Sequence, residues 1–155
     1  MAAEIKPRVY ADTDVFLHVL LEQEQSEICL KLLSAAERGD VQLVASRLLL
    51  AEISSWKGDR RGGPVPAAEL VERYLDATNA MWVEVDVVTA KEAARLSWEH
   101  KLRSSDAVHL ATAIRRSADY FMSYDKAFPF GSTVEGTIVL KPEIVWQPTL
   151  DDTAA

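Results

Sequence analysis

The sequence predicts an α/β fold: a single domain with a mainly parallel central sheet flanked by helices. Three observations carry this. Short runs rich in β-branched and aromatic residues recur at 8–11, 42–45, 81–85, 120–124 and 137–140. Helical signals fill most of the intervals between them, and strands that alternate with helices favour parallel pairing. The chain has 155 residues, 48% of them hydrophobic, which suits one core, and no repeat, low-complexity tract or linker divides it.

Taken in order, the first strand starts just after Pro7, and residues 15–21 read as one or two buried helical turns. Ser26 is placed to cap a helix over 27–38, which Gly39 ends. After the second strand, Ser46 caps a helix to about Lys57. Gly58-Asp-Arg-Arg-Gly-Gly-Pro64 is the clearest loop. Pro66 suits the first turn of a helix reaching about Ala80. Beyond the third strand, Thr89-Ala-Lys-Glu92 matches a capping box that opens a helix to about Lys101. Ser104 or Ser105 caps another, through Arg116 or Ser117, and the fourth and fifth strands follow. Residues 1–148 are expected to form the domain and 149–155 a flexible C-terminal tail. Trp82, Trp98 and Trp146 are read as packing residues.

A net charge of −7 argues at first against a nucleic-acid partner, since phosphates usually meet a basic surface. It does not argue against phosphate chemistry, because clustered carboxylates hold hard divalent cations and those cations hold phosphates. Cys29 is the only cysteine, which excludes an internal disulfide and a cysteine zinc site. No apolar run reaches the roughly 18 residues of a membrane span. The start of the chain lacks a signal peptide's apolar stretch. A cytoplasmic location, away from membranes, is the expectation.

Four carboxylates stand out by position: Asp12, Glu52, Asp106 and Asp125. In an open α/β sheet, ligands bind beyond the carboxyl ends of the strands. Asp12 follows the first strand and Asp125 the fourth. Asp106 opens a helix of roughly 12 residues, or about 18 Å, that runs down the sheet before a strand of about 17 Å climbs back. The two paths nearly cancel, so Asp106 and Asp125 should meet at one edge. Glu52 lies in the apolar helical stretch Leu48-Leu-Leu-Ala-Glu-Ile53, where an unpaired charge is costly and a metal ion is one possible partner. Alone, each acid has a plainer use as a turn former, helix-dipole partner or arginine partner. Their convergence points to Mg²⁺ or Mn²⁺, which take oxygen ligands and assist phosphodiester hydrolysis by water. Ser123, two residues before Asp125, is placed to orient a carboxylate or a water.

These pieces resemble the PIN-domain nucleases, in particular VapC-like toxins of bacterial toxin–antitoxin pairs. Val9-Tyr-Ala-Asp-Thr-Asp-Val-Phe-Leu17 is similar to the family's first-strand motif, with Asp12 as its acid. The stretch around Glu52 resembles the glutamate-bearing helix. Ser105-Asp-Ala-Val-His-Leu-Ala-Thr-Ala113 is similar to the pattern Asp-Ala-x-His-x-Ala-x-Ala, the most specific piece. Ala118-Asp-Tyr-Phe-Met-Ser-Tyr-Asp-Lys-Ala-Phe128 resembles the last-strand motif, with Ser123 where Thr is commoner. Asp14 departs from the pattern, standing where Asn or Ser is usual and adding a negative charge.

The resemblance implies a PIN-like domain that cleaves RNA endonucleolytically with Mg²⁺ or Mn²⁺. Asp12, Glu52, Asp106 and Asp125 would be its metal-binding and catalytic acids. It also implies a homodimer inhibited by a cognate antitoxin. For substrate grip, Lys57, Arg60 and Arg61 beside the glycine-rich loop come first, with Arg115, Arg116 and Lys126 behind them. His109 is read as a buried packing histidine rather than a partner of Asp106. Two other readings stand beside this one. Asp12-Thr-Asp14 also fits a haloacid-dehalogenase-type phosphatase with Asp12 as nucleophile, although no lysine and paired-acid motifs follow. A non-catalytic binding module of the same fold is the other.

Overall fold

The first strand, β1 (Arg8–Ala11), is central because it is apolar on both faces: Val9, Tyr10 and Ala11 are all buried. The computed structural model describes residues 6–20, 26–55 and 66–153. β1 pairs in parallel with β2 (Gln42–Ser46) on one side and with β4 (Tyr120–Met122) on the other. β3 (Met81–Val83) extends the sheet in parallel beyond β2, and β6 (Thr137–Leu140) does so beyond β4. β5 (Thr133–Val134) closes the far edge antiparallel to β6, giving the order β3-β2-β1-β4-β6-β5. The sheet is thus mainly parallel, as its sequence pattern predicts.

Successive residues of a strand face opposite sides, so one strand feeds two cores. Val9 and Ala11 pack with α1 (Thr13–Leu20), α2 (Ser26–Arg38), α3 (Leu48–Ser55) and α4 (Ala67–Ala77). Tyr10 packs on the other face with α5 (Val87–His100) and α6 (Ser104–Arg115). Gly39, at φ +83, ends α2 with two return bonds, Asp40 N–H to Ala35 C=O (2.9 Å) and Gly39 N–H to Ala36 C=O (3.1 Å). Among the described residues, no helix is long and apolar enough to cross a membrane.

Several local expectations are corrected. α5 starts before Thr89, because the Asp86 side chain caps it by accepting the Thr89 N–H (2.8 Å). The Thr89–Glu92 capping box does not form, and Glu92 instead pairs with Arg95. Arg103, not Ser104 or Ser105, holds the N-cap of α6 and makes no side-chain cap. β3 and β4 stop two residues short of the predicted ends. The two-residue β5 was not anticipated. Trp98, read as a packing residue, is 87% exposed, whereas Trp146 is buried as expected.

The C-terminal segment is also not loose as far as it is described. Residues Leu150–Thr153 form α7, and Asp152 is buried. Its carboxylate accepts from the Thr149 N–H (2.9 Å), the Trp146 indole (2.9 Å) and Arg38 (2.9 Å). Burial alone would raise this acid. The Thr149 and Trp146 donors and the Arg38 charge outweigh it and hold the pKa at about 2. The carboxylate therefore stabilises the fold above its ordinary value of 3.8, and that contribution is lost as pH falls from about 4 to about 2. Asp152→Asn is expected to cost about 2 kcal/mol near neutral pH. In urea denaturation, the gap between variant and parent should close as pH drops through this window.

Candidate active site at the carboxyl edge of the sheet

The parallel strands end together, and the residues just past β1 and β4 share one edge. Asp12 remains in register, its N–H donating to Met122 C=O (3.0 Å). Asp125 follows β4 by three residues, and Asp106 sits in the first turn of α6. Glu52 comes from α3. All four line one open cleft of about 630 Å³, together with Thr13, Asp14 and Arg103. The sequence-predicted acids are therefore brought together, and Asp14 makes a fifth. Arg103 reaches both Asp106 (Nε to Oδ2, 3.5 Å) and Asp125 (Nη2 to Oδ2, 3.6 Å), so those two acids do meet at one edge.

Ser123 ties the edge together. Fully buried, its Oγ lies 2.8 Å from Asp12 Oδ2 and 3.1 Å from Asp14 Oδ2, and it accepts the Asp125 N–H (3.0 Å). One hydroxyl hydrogen thus serves two carboxylates, and the same oxygen fixes the start of the Asp125 turn. Backbone donors help: Thr13 N–H binds Asp12 Oδ1 (2.8 Å) and Tyr124 N–H binds Asp14 Oδ2 (3.0 Å).

Glu52 is held from the other core. The Nε2 of His109 contacts Glu52 Oε1, and its Nδ1 contacts the Tyr10 hydroxyl. Thr13 Oγ1 adds a bond to Glu52 Oε1 (3.1 Å). His109 is fully buried, as the sequence suggests, but it packs as a polar link and not only as an apolar filler. Burial pushes its pKa down. The Glu52 bond and the charges of Asp12 and Glu52 more than reverse this and raise it. Burial pushes Glu52 up, and the bond and charge of His109 bring it below the ordinary value.

Asp12, Asp14 and Asp106 are pushed the other way. Burial raises Asp12. Burial, then the charges of Asp125 and Asp12, raise Asp106. Burial, then Asp12, push Asp14 up to about 7. Two buried carboxylate oxygens, Asp14 Oδ1 and Asp106 Oδ2, take no hydrogen bond. Among the described residues, no three His, Cys, Asp or Glu side chains form a ready-made ligand set for a metal ion.

Lys57, Arg60 and Arg61 lie outside the described residues. Arg115 is engaged elsewhere, at the far end of α6, with Asp86 (2.8 Å) and Thr89 (2.5 Å). Sequence reasoning missed Arg103 and gave His109 too small a part. The signal for His109 was a histidine in a helix otherwise lined with Ala and Leu, since a buried ring nitrogen requires a partner.

A carboxyl raised to about 7 favours the fold while protonated, and this contribution is lost as pH climbs from about 4 through 7. In EDTA-treated protein, Asp14→Asn should therefore stabilise the fold by about 1–2 kcal/mol at pH 8. The gain should shrink toward pH 4. Thermal melts at both pH values check this, and an equal or lower melting temperature for the variant at pH 8 would contradict it.

No curated protein matches the chain. Solved structures share its fold. A toxin–antitoxin complex from Klebsiella pneumoniae aligns at 20% identity and a TM-score of 0.58, covering 87% of this chain and 98% of that one. VapBC2 from Rickettsia felis, bound to a DNA fragment from its promoter, aligns at 11% identity and 0.57, covering 86% and 98%. FitAcB from Neisseria gonorrhoeae aligns at 18% identity and 0.56, covering 86% and 97%. The PIN domain family profile matches residues 9–129, a span that includes every acid of the cleft from Asp12 to Asp125. With most of its length matched and its sheet and cleft in this arrangement, the chain belongs to the PIN domain family.

Proposed function

We propose that this chain is a metal-dependent endoribonuclease that hydrolyses RNA phosphodiester bonds, and that it is the toxin of a toxin–antitoxin pair. The observation that carries the reading is the gathering of five carboxylates in one cleft, with two buried oxygens left without hydrogen bonds. A donor set of oxygens without cysteine fits a hard divalent ion, Mg²⁺ or Mn²⁺. Asp12, Glu52, Asp106 and Asp125 are the proposed ligands, with Asp14 beside them. When bound, such an ion supplies water activation and neutralises charge at the phosphate. No side-chain nucleophile is needed.

Ser123 acts in this reading as a positioning residue, since it is fully buried and spends its hydroxyl on carboxylates and the Asp125 N–H. His109 and Tyr10 hold Glu52 in place. Lys57, Arg60 and Arg61 are the proposed substrate contacts from the neighbouring loop. A cognate antitoxin as inhibitor, a homodimer and a cytoplasmic location complete the proposal. The similar solved structures include a toxin–antitoxin complex, which supports the antitoxin partner. The phosphatase reading gains nothing here. It leaves Glu52 and Asp106 without a role.

The decisive assay is cleavage of a pool of structured RNAs in Mg²⁺ or Mn²⁺. Asp106→Asn and Glu52→Gln should each lower the rate roughly a hundred-fold or more, above the loss usual for groups that only support a ligand. EDTA should abolish cleavage. Cutting that survives EDTA or Asp106→Asn would remove the carboxylate cleft from the explanation.

A further inference from the structure

Among the described residues that line the acid cleft, Arg103 is the only cation. Its position is locally unfavourable. It holds the N-cap of α6, where Ser, Thr, Asp and Asn are preferred because their side chains bind the free N–H groups, and Arg103 makes no such bond. A cation at a helix N-terminus also opposes the helix dipole. A residue that breaks local rules with no local gain marks a site under another demand.

The root of Arg103 is nonetheless fixed. Leu102 before it is buried, and the Arg103 carbonyl accepts the Ala107 N–H (2.9 Å). The head is not fixed. Its side chain is 80% exposed, and its two contacts, at 3.5 and 3.6 Å, lie beyond good hydrogen-bond distance. Arg115 and Arg95, by contrast, each hold a carboxylate at 2.8 Å. Ion pairs this long, made by a guanidinium that is itself exposed, contribute little stability. The guanidinium is therefore tethered at the cleft and free to exchange partners.

We propose that Arg103 grips the phosphate of the RNA substrate and competes with the divalent ion for Asp106 and Asp125. The planar fork of a guanidinium matches two phosphate oxygens. A cleft of carboxylates repels a polyanion, so a cation at its wall contributes more than the same charge on a neutral surface. With Asp106 and Asp125 engaged by a divalent ion, the Arg103 guanidinium would be without its present partners and open to a phosphate. The inference rests on the nuclease reading for its substrate, but its competition with metal does not.

Three measurements on the full chain test it, with Arg103→Gln and Arg103→Lys. In calorimetric titration with Mn²⁺ and no RNA, Arg103→Gln should bind about three- to ten-fold tighter, the effect of removing one nearby partly screened charge. Arg103→Lys should stay near the parent. In anisotropy with a mixed-sequence single-stranded RNA and Ca²⁺, Arg103→Gln should bind more weakly. Its log–log salt slope should be shallower by about 0.7, as for one lost phosphate contact. In Mn²⁺-saturated cleavage, kcat/KM should fall roughly ten- to a hundred-fold, mostly through KM, with partial rescue by lysine. Unchanged Mn²⁺ affinity together with an unchanged salt slope, in a parent that cleaves RNA, would overturn the role of Arg103 and leave the nuclease standing. A parent that neither binds nor cuts RNA would overturn the nuclease reading and the phosphate grip with it, whereas tighter Mn²⁺ binding by Arg103→Gln would still support the competition.

Discussion

Like charges gathered in one cleft repel, and much of the construction around it is a response to five acids. Asp12, Asp14 and Asp106 are all raised above ordinary carboxylate values, with burial as the leading cause. The acids are then met by donors from several parts of the chain, two of which serve two acids each. Asp12 has a backbone N–H and Ser123, Asp14 has the Tyr124 N–H, and Asp106 and Asp125 have the loosely held Arg103. Glu52 is held below its ordinary value, because His109 stands against it. The site is therefore partly compensated. Two carboxylate oxygens remain buried without a hydrogen bond, which is the arrangement a hard cation would satisfy.

That partial compensation draws on both cores. Tyr10 faces the α5–α6 side of the sheet, while its neighbours Val9 and Ala11 face the α1–α4 side. Through His109, the Tyr10 hydroxyl reaches a glutamate carried by α3, so a polar chain crosses from one layer to the other at the sheet's edge. A buried chain of this kind is costly if any member is removed, since the remaining groups lose their partners. It gives the central strand a second task besides hydrogen bonding: it sets where Asp12 emerges and what holds Glu52.

The sequence carried much of this. The sheet's parallel character, its main strands and the convergence of Asp12, Asp106 and Asp125 follow from strand-end positions and path lengths, which are local quantities. What stayed hidden depends on distant partners or on small local energies. His109 and Glu52 are separated by 57 positions, and no spacing rule connects an α6 histidine to an α3 glutamate. Asp86 and Thr89 both suit a cap, and the Asp86 side chain takes the role by accepting the Thr89 N–H. β5 has two residues and forms only because Gly136, at φ +92, and Glu135, at φ +49, turn the chain back on β6. The end of the chain reads as loose because Asp152 has only part of its support nearby, from Thr149 and Trp146. Arg38, far away in α2, supplies another donor.

The alanines of α6 belong to the site as much as its acids do. Ala107, Ala111 and Ala113 are fully buried, alongside Leu110, His109 and Thr112, so this helix is enclosed along most of its length. Small side chains allow a helix to lie close to its neighbours, and interiors packed to this density transmit any displacement. A larger residue at one of these positions must shift the helix or its neighbours, since overpacked cores relax by moving backbone. Asp106 is the third residue of α6 and His109 lies one turn later, so such a shift moves an acid of the cleft and the partner of Glu52 together. Asp-Ala-x-His-x-Ala-x-Ala is thus one mechanical unit. The acid and the histidine face the chemistry, and the alanines set how near the sheet edge both can stand.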